Sequence, residues 1–182
     1  MARLAAGQDS ALNDLMTRHA GAVFQFLNRM LANEEDANEL AQETFVRVYK
    51  NCRSYRPEAK FTTWLLTIAA NLARNQLRWR QRHPNVSLDA PHGEDGATLS
   101  DQLPATTSLP GEQLSHDERM ATIRGAVQRL PEDLREAIVL CELEDQSVAD
   151  AAAILETTPK AIESRLYRGR QILRERLARW LN

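Results

Sequence analysis

The chain has 182 residues, of which 43% are hydrophobic and 5% aromatic, and its formal net charge is −2. These values are typical of one or two small globular domains and exclude a disordered or fibrous protein. Cys52 and Cys141 are far apart and stand in no CxxC or Cys/His spacing, so the sequence predicts neither a disulfide framework nor a metal site. A secretory signal and an apolar run of about 18 residues are both absent, which favours a cytoplasmic protein over a secreted or membrane-inserted one.

Charge and composition divide the chain into three parts. Residues 84–115 contain four prolines and three glycines, and no lysine or arginine occurs from Pro84 to Gln113. Such a segment is typical of a flexible acidic linker. The segments on either side have helical periodicity and no strand pattern, and their basic residues cluster at 74–82 and 160–179. The sequence therefore predicts an all-α chain of two small helical domains, 8–83 and 116–182, joined by the linker 84–115.

An amphipathic helix is predicted from Glu34 to Lys50. Its inward face carries Ala37, Leu40, Ala41, Phe45 and Val48, and its outward face carries Asp36, Glu39, Gln42, Glu43 and Arg47. The helix dipole alone accounts for the acidic residues of the first turn. Glu39 and Glu43, however, are like charges four residues apart, which destabilises a helix slightly. This pair indicates a basic partner surface as readily as it indicates an unpartnered solvent face.

The next segment combines a loop that contains Pro57 with a helix that begins near Thr62. Its aromatic and basic side chains are interleaved: Tyr55, Phe61, Trp64 and Trp79 with Arg74, Arg78, Arg80 and Arg82. Aromatic rings beside a cationic track are suited to single-stranded nucleic acid, because stacking contributes about 1 to 3 kcal/mol per base. Trp64 shares a helical face with Leu65, Ile68 and Leu72, which favours a core position. Tyr55, Asn71 and the terminal arginines are better candidates for contact.

Residues 147–170 have the pattern of a helix-turn-helix. Ser147 is a helix cap with Asp150 three residues on, and Thr157 or Thr158 can cap the second helix ahead of Pro159. The second helix turns Ile162, Leu166, Leu173 and Leu177 inward and Lys160, Glu163, Ser164, Tyr167, Arg168 and Arg170 outward. Such a face fits the major groove of DNA, with arginines on the phosphates. The other interpretation, a solvated arginine-rich face of a long helix, leaves the capped helix before it unexplained.

In this order the segments resemble the extracytoplasmic-function (ECF, group 4) sigma factors of the sigma-70 family, which are subunits of bacterial RNA polymerase. Residues 36–50 are similar to the family's region 2.2, the segment KFTTWLLTIAANLARNQLRWRQR to regions 2.3 and 2.4, and residues 130–170 to region 4. The resemblance covers almost the whole chain. It implies a sigma region 2 helical bundle at 8–83 and a region 4 helix-turn-helix bundle at 116–182.

The resemblance also implies a function and its residues. Such a chain is an alternative sigma factor that binds core RNA polymerase and directs promoter-specific initiation. Contact with the β′ clamp helices is implied for Asp36, Glu39, Gln42 and Glu43. Contact with the −10 element is implied for Tyr55, Arg56, Lys60, Phe61, Asn71, Arg74, Arg78 and Arg80, and the first five of these match the positions of the pocket that captures a flipped base. Duplex −35 recognition is implied for Thr158, Lys160, Ala161, Glu163, Ser164, Arg165, Tyr167, Arg168 and Arg170, and region 4 would also contact the β flap.

Control by an anti-sigma factor follows from the same resemblance, with the protein associated with the nucleoid or held at the inner membrane by that factor. The family implies no cofactor, metal, small-molecule substrate or catalytic residue, so the chain is not expected to be an enzyme. It departs from the family pattern at three places. Glu156 stands where many relatives have Gly, and Lys160, Ala161 and Glu163 replace a usual Gly, Thr and Lys. Pro57 and Glu58 replace a common Gly-Asp or Gly-Glu in the base-capturing loop.

The alternative is a two-domain helix-turn-helix transcriptional regulator whose residues 10–82 sense a ligand or phosphoryl signal. That interpretation needs a pocket or a phosphoacceptor, and the N-terminal half has no βα pattern or acidic phosphoacceptor cluster. It also leaves the basic aromatic track without a role. An enzyme is less favoured still, because the histidines stand in unrelated contexts: His19, His83, His92 and His116.

Overall fold

The computed structural model describes residues 1–56, 60–83 and 116–181. The predicted linker at 84–115 and the loop positions Pro57 and Glu58 lie outside the described residues. Every regular element in the described ranges is helical and none is a strand, which confirms the all-α prediction. No helix in these ranges is both long and apolar enough to span a bilayer.

The N-terminal unit consists of four α-helices and one 3₁₀ turn. In chain order these are α1 (Ala2–Ala5), α2 (Ser10–Leu31), α3 (Glu34–Lys50), the 3₁₀ turn (Cys52–Ser54) and α4 (Phe61–Arg82). Helix α2 ends where Ala32 turns left-handed, with φ of 51°. Asn33 then caps α3, because its side chain accepts the Asp36 amide at 2.9 Å. The two helices therefore meet in an antiparallel corner over a core that includes Phe26, Leu27, Met30, Phe45 and Val48.

The C-terminal unit is built on the long second helix of the helix-turn-helix. Its elements are α5 (His116–Gln128), α6 (Glu132–Ile138), a π-helical turn (Val139–Leu143), α7 (Val148–Ile154) and α8 (Pro159–Leu181). Gly169 lets α8 lie close to α6, since a Cβ on it would stand 2.8 Å from Cγ1 of Ile138. Ile162 and Leu166, both buried, continue this contact along α8. The packing fixes which face of α8 is turned to solvent.

The turn between α7 and α8 is closed by backbone hydrogen bonds. The Thr157 amide donates to the Ala152 carbonyl at 2.9 Å, and the Glu156 amide to that of Ala153 at 3.3 Å. These two bonds form a Schellman motif, which needs a left-handed residue after the helix. Glu156 supplies it with φ of 51°. Glycine adopts this conformation most readily, and this chain forms the turn with a glutamate.

The two units pack against each other. Helix α4 lies on α7, and the C-terminal end of α2 lies against α5 and the π-helical turn. Buried residues of both units belong to one connected core, to which Leu65 and Ala69 contribute from one side and Ile154 from the other. The sequence predicted two domains without predicting this contact between them.

Candidate nucleic-acid interface

The outward face of α8 is solvent-exposed as the sequence predicts. Thr158 caps the helix, since its Oγ1 accepts the Ala161 amide at 3.2 Å. Exposed positions follow it: Lys160, Glu163, Ser164, Tyr167, Arg168 and Arg170. Ala161 and Arg165 are half-buried. Tyr167 is 70% exposed, so most of its surface is accessible to a partner. We call this set, with Thr158, the recognition face.

Ion pairs hold the arginines of the α8 surface, of which Arg168 and Arg170 stay exposed and Arg165 is half-buried. Arg165 and Arg168 lie 3.9 and 3.7 Å from one carboxylate oxygen of Asp133. Arg170 donates to Glu142 at 2.5 Å. Both acidic partners are exposed, so water screens these pairs and each contributes little to stability. The guanidinium groups are therefore oriented by α6 and the π-helical turn, and they can transfer to phosphates at small cost.

An aromatic cluster lies at the start of α4. Ring centroids of Tyr55 and Trp64 are 5.3 Å apart, and those of Tyr55 and Phe61 are 6.0 Å apart. His19 of α2 joins the cluster, with its ring 5.1 Å from that of Phe61. Burial, and then the nearby Arg18, lower the pKa of His19, so its imidazole is neutral near pH 7. The rings are half-buried, which leaves part of each available to a stacked base.

Two predicted −10 residues of α4 and its preceding loop contact the C-terminal unit. Lys60 donates to Oδ2 of Asp150 at 2.8 Å, and Arg74 donates from Nε to Glu136 at 2.5 Å. Asn71 is drawn into the second contact, since its Oδ1 accepts from Nη1 of Arg74 at 3.0 Å. Asp150 and Glu136 belong to α7 and α6. Helices α6 and α7 of the C-terminal unit therefore partly cover the predicted −10 surface.

The remaining predicted −10 arginines point in different directions. Arg56 is exposed. Arg78, also exposed, lines a cleft of about 390 Å³ between α3 and α4 together with Trp79 and Arg82. Arg80 faces the other side of α4, where it pairs with Asp36 and donates to the Leu31 carbonyl at 3.0 Å. Arg80 thus fastens α4 to the α2–α3 corner.

The outward face of α3 is only partly free. Glu39 and Gln42 are exposed, whereas Asp36 is engaged by Arg80 and by Gln76, whose amide donates to it at 2.9 Å. Arg47 donates to Glu43 at 2.8 Å, and this hydrogen bond lowers the pKa of the Glu43 carboxyl. Arg47 therefore offsets part of the repulsion between Glu39 and Glu43 that the sequence predicted.

Two family profiles match the chain, one in the N-terminal unit and one in the C-terminal unit. A profile described as Sigma-70 region 2 matches residues 15–83, and one described as Sigma-70, region 4 matches residues 120–173. SigW of Bacillus subtilis (strain 168), an ECF RNA polymerase sigma factor, is 33% identical over 172 residues, which cover 94% of this chain and 91% of SigW.

The chain belongs to the ECF RNA polymerase sigma factors.

Solved structures of other sigma factors share the arrangement of both regions. A chain in the structure of CnrH in complex with the cytosolic domain of CnrY is similar over both regions, with a TM-score of 0.71 at 25% identity, covering 97% of this chain and 94% of that chain. The sigma factor RpoE of Bartonella quintana, in complex with the anti-sigma factor NepR, has a TM-score of 0.67 at 27% identity and covers 91% and 96%. Region 2 of the sigma factor lies in the N-terminal unit and region 4 in the C-terminal unit. A regulator with an N-terminal sensing domain is therefore not favoured.

Sequence reasoning missed the acidic residues of region 4 that contact region 2. Glu136 and Asp150 are among them, and so is Glu144, which accepts from Arg29 at 2.5 Å. Arg135 was also missed: it donates to the Met30 carbonyl at 2.9 Å across the same interface. The sequence marked Asp150 only as part of the cap of α7, and a capping role requires no partner in region 2. Nothing in the pattern around Glu136 marked it, although a glutamate on the buried side of a short helix implies a cationic partner.

Proposed function

We propose that this sigma factor binds core RNA polymerase and directs promoter-specific transcription initiation, with region 2 (8–83) opening the −10 element and region 4 (116–182) reading the −35 element. One observation supports this best: a capped helix-turn-helix with an exposed face of arginines and Tyr167 stands in one chain with a half-buried aromatic cluster flanked by cations. Duplex reading needs the first and strand capture needs the second. The family acts in initiation and is not a family of enzymes, so no residue is assigned a catalytic role.

Duplex recognition falls to the recognition face of α8. The amides at the start of α8 and the arginines Arg165, Arg168 and Arg170 are placed to contact phosphates, which sets the register of the helix in the groove. Lys160, Glu163 and Ser164 then face base edges. A lysine favours guanine and a glutamate accepts from the amino group of cytosine. The promoter should therefore differ at these positions from those of relatives that carry Gly and Lys there.

Strand opening falls to the aromatic cluster and the residues beside it. A base flipped from the duplex loses a few kcal/mol of stacking and pairing, and a pocket must return this through new contacts. Tyr55 and Phe61 offer ring faces, and Asn71 offers an amide for the edge of the base. Lys60, Arg74 and Arg78 lie along the same side and supply charge for the backbone, while Arg80 acts by holding α4 in place.

Core binding falls to the outward face of α3 and to region 4. Glu39, Gln42 and Glu43, with Asp36 at the helix start, present carboxylates and an amide to a basic surface, for which the β′ clamp helices are the candidate. Part of region 4 would contact the β flap. The exposed Val46, 41% accessible, adds an apolar contact on the same helix.

Regulation is proposed to be through an anti-sigma factor. Support comes from the fold of this chain, which matches that of sigma factors in complexes with such partners. A partner that holds regions 2 and 4 together would keep the polymerase from both. The sigma factor would then act in the cytoplasm at the nucleoid once released, and an anti-sigma factor in the membrane would retain it at the inner membrane.

Reconstitution with purified core polymerase tests the proposal. The wild type should give promoter-specific transcripts from genomic fragments. Asn71→Ala should reduce opening of the −10 element, measured by permanganate reactivity, and should leave binding of the −35 duplex by the holoenzyme unchanged. The control is Asn13→Ala, which removes an exposed side-chain amide from α2. Absence of any promoter-specific transcript would refute the function, and equal loss of opening and −35 binding in Asn71→Ala would refute the division of labour.

A further inference from the structure

The contact between regions 2 and 4 uses cations that the −10 element would need. Asp150 accepts from Lys60 at 2.8 Å and from Thr63 at 3.3 Å, with different oxygens of one carboxylate. Glu136 accepts from Arg74 at 2.5 Å. A carboxylate oxygen and a phosphate oxygen make the same charge-assisted hydrogen bond to an ammonium or guanidinium group. Region 4 therefore presents to region 2 the chemistry of a nucleic-acid backbone.

Both carboxylates are held by more than the ion pair across the interface. Glu136 is 5% exposed, and burial raises the pKa of its carboxyl despite the hydrogen bond from Arg74. Asp150 is held by the hydroxyl of Ser147, which donates to it at 2.6 Å, and hydrogen bonds from Lys60 and Ser147 lower its pKa. One acid is fixed by burial and the other by a cap. The cap preorganises the Asp150 carboxylate, so its side chain loses little entropy when the interface closes.

A second set of contacts closes the interface at a distance from the predicted −10 residues. Arg29, near the end of α2, donates to Glu144 at 2.5 Å and to the Leu143 carbonyl at 2.7 Å. Arg135 reaches back to the Met30 carbonyl at 2.9 Å. These bonds join the C-terminal end of α2 to region 4 and involve no residue assigned to DNA. They provide a way to open the interface without altering the −10 surface.

We propose that the free sigma factor is autoinhibited by this interface, in which Asp150 and Glu136 occupy Lys60, Thr63 and Arg74 as a backbone phosphate would. Regions 2 and 4 must separate before single-stranded −10 DNA can bind. The inference rests on the proposed −10 role of Lys60 and Arg74. It adds that region 4 competes with single-stranded DNA for those side chains within the same molecule.

The magnitude follows from competition between two states. A protein whose binding-competent form is populated about a tenth of the time binds about tenfold more weakly than that form alone. The double variant Asp150→Asn/Glu136→Gln removes both interface carboxylates, which we call the latch. It should therefore bind a fluorescein-labelled single-stranded DNA of about 20 thymidines about tenfold more tightly than wild type. The full-length chain is used throughout, with fluorescence anisotropy as the readout. Small-angle X-ray scattering should show a larger radius of gyration for the variant.

Matched variants separate the latch from other effects. Glu175→Gln removes an exposed carboxylate of α8 that belongs neither to the recognition face nor to the interface contacts given above, so it controls for lost negative charge. Ser147→Ala removes the cap hydroxyl and keeps the Asp150 carboxylate, so it controls for the helix end. Arg29→Gln opens the remote contacts and should also tighten binding. Circular dichroism checks that each variant is folded. If the double variant is unfolded, the affinity of Arg29→Gln for single-stranded DNA tests the inference instead.

Each outcome supports or overturns the inference. An expanded double variant that binds single-stranded DNA no more tightly than wild type overturns it, and so does a variant that stays compact with unchanged affinity. Transcription with core polymerase tells this failure apart from failure of the proposed function. Normal promoter-specific transcription with no gain in affinity refutes the autoinhibition alone. No transcription, together with no binding of single-stranded DNA by wild type or by any opened variant, refutes the proposed function.

Discussion

Replacing Gly169 by alanine tests how closely α8 must lie on α6. The new Cβ would stand 2.8 Å from Cγ1 and 3.1 Å from Cδ1 of Ile138, both shorter than ordinary van der Waals contact. Ile138 is 2% exposed and branched at Cβ, so its side chain has few other rotamers and little free space. Ile138 or the helix axis must therefore move.

The expected change is the difference between two opposing effects. Overpacking a core costs about 1 to 3 kcal/mol. Alanine in a helix is favoured over glycine by about 1 kcal/mol. Gly169→Ala should therefore lower the free energy of unfolding of region 4 by up to about 2 kcal/mol. Gly125→Ala is the matched control in α5, since a Cβ there would meet nothing within 4 Å. It should raise the free energy of unfolding by about 0.5 to 1 kcal/mol.

Urea denaturation followed by circular dichroism at 222 nm measures both changes. The two substitutions are chemically identical, so their difference in sign isolates the packing of α8 on α6. Binding of −35 duplex by the holoenzyme should fall with Gly169→Ala, because a shift of α8 moves the whole recognition face. A gain in stability from Gly169→Ala equal to that from Gly125→Ala would refute the reasoning.

Three further predictions concern single side chains. Tyr167→Ala should weaken −35 duplex binding by the holoenzyme about tenfold, measured by gel shift, and Tyr167→Phe should recover most of it if the ring makes the contact. Glu39→Lys should weaken binding to core polymerase about three- to tenfold, whereas Glu34→Lys on the same helix should not; equal effects would mean that only net charge matters. Glu136→Gln should change the pH dependence of stability. Burial raises the pKa of Glu136, so its contribution to the free energy of unfolding is present below its ordinary pKa and is lost as pH rises through the raised value. Wild type should therefore lose stability relative to Glu136→Gln as pH rises from the ordinary glutamate pKa through the raised one, and parallel curves would contradict this.

Local signals in the sequence predicted the helices closely. The helix expected from Glu34 to Lys50 has those bounds, and the caps at Ser147 and Thr158 form as predicted. Each of these features depends on residues within four positions of one another. The identity of the turn residue was less readable, because Glu156 replaces a usual glycine and only the backbone angle shows that the left-handed conformation is kept.

Contacts between distant segments were not predictable from the same signals. Arg74 and Arg80 belong to one basic cluster and were given one role. In the structure Arg74 crosses to Glu136, whereas Arg80 turns to Asp36 and the Leu31 carbonyl. Six residues along an α-helix place them on different sides of α4. Their partners are set by how α3 and α6 pack on α4, which no spacing within the cluster records. The contact of His19 with the aromatic cluster was not predicted either, because it depends on how α2 packs on α4.

Asp150 contributes to two structures at once, because its carboxylate accepts from Ser147 within the first turn of α7 and from Lys60 and Thr63 across the interface. Formation of that turn and closure of the interface are therefore thermodynamically coupled, and such coupling acts equally in both directions. A ligand that takes Lys60 from Asp150 should loosen the start of the helix-turn-helix on the far side of the interface. Amide hydrogen exchange at the first turn of α7 would then report the binding of a ligand to Lys60, although that ligand makes no contact with α7.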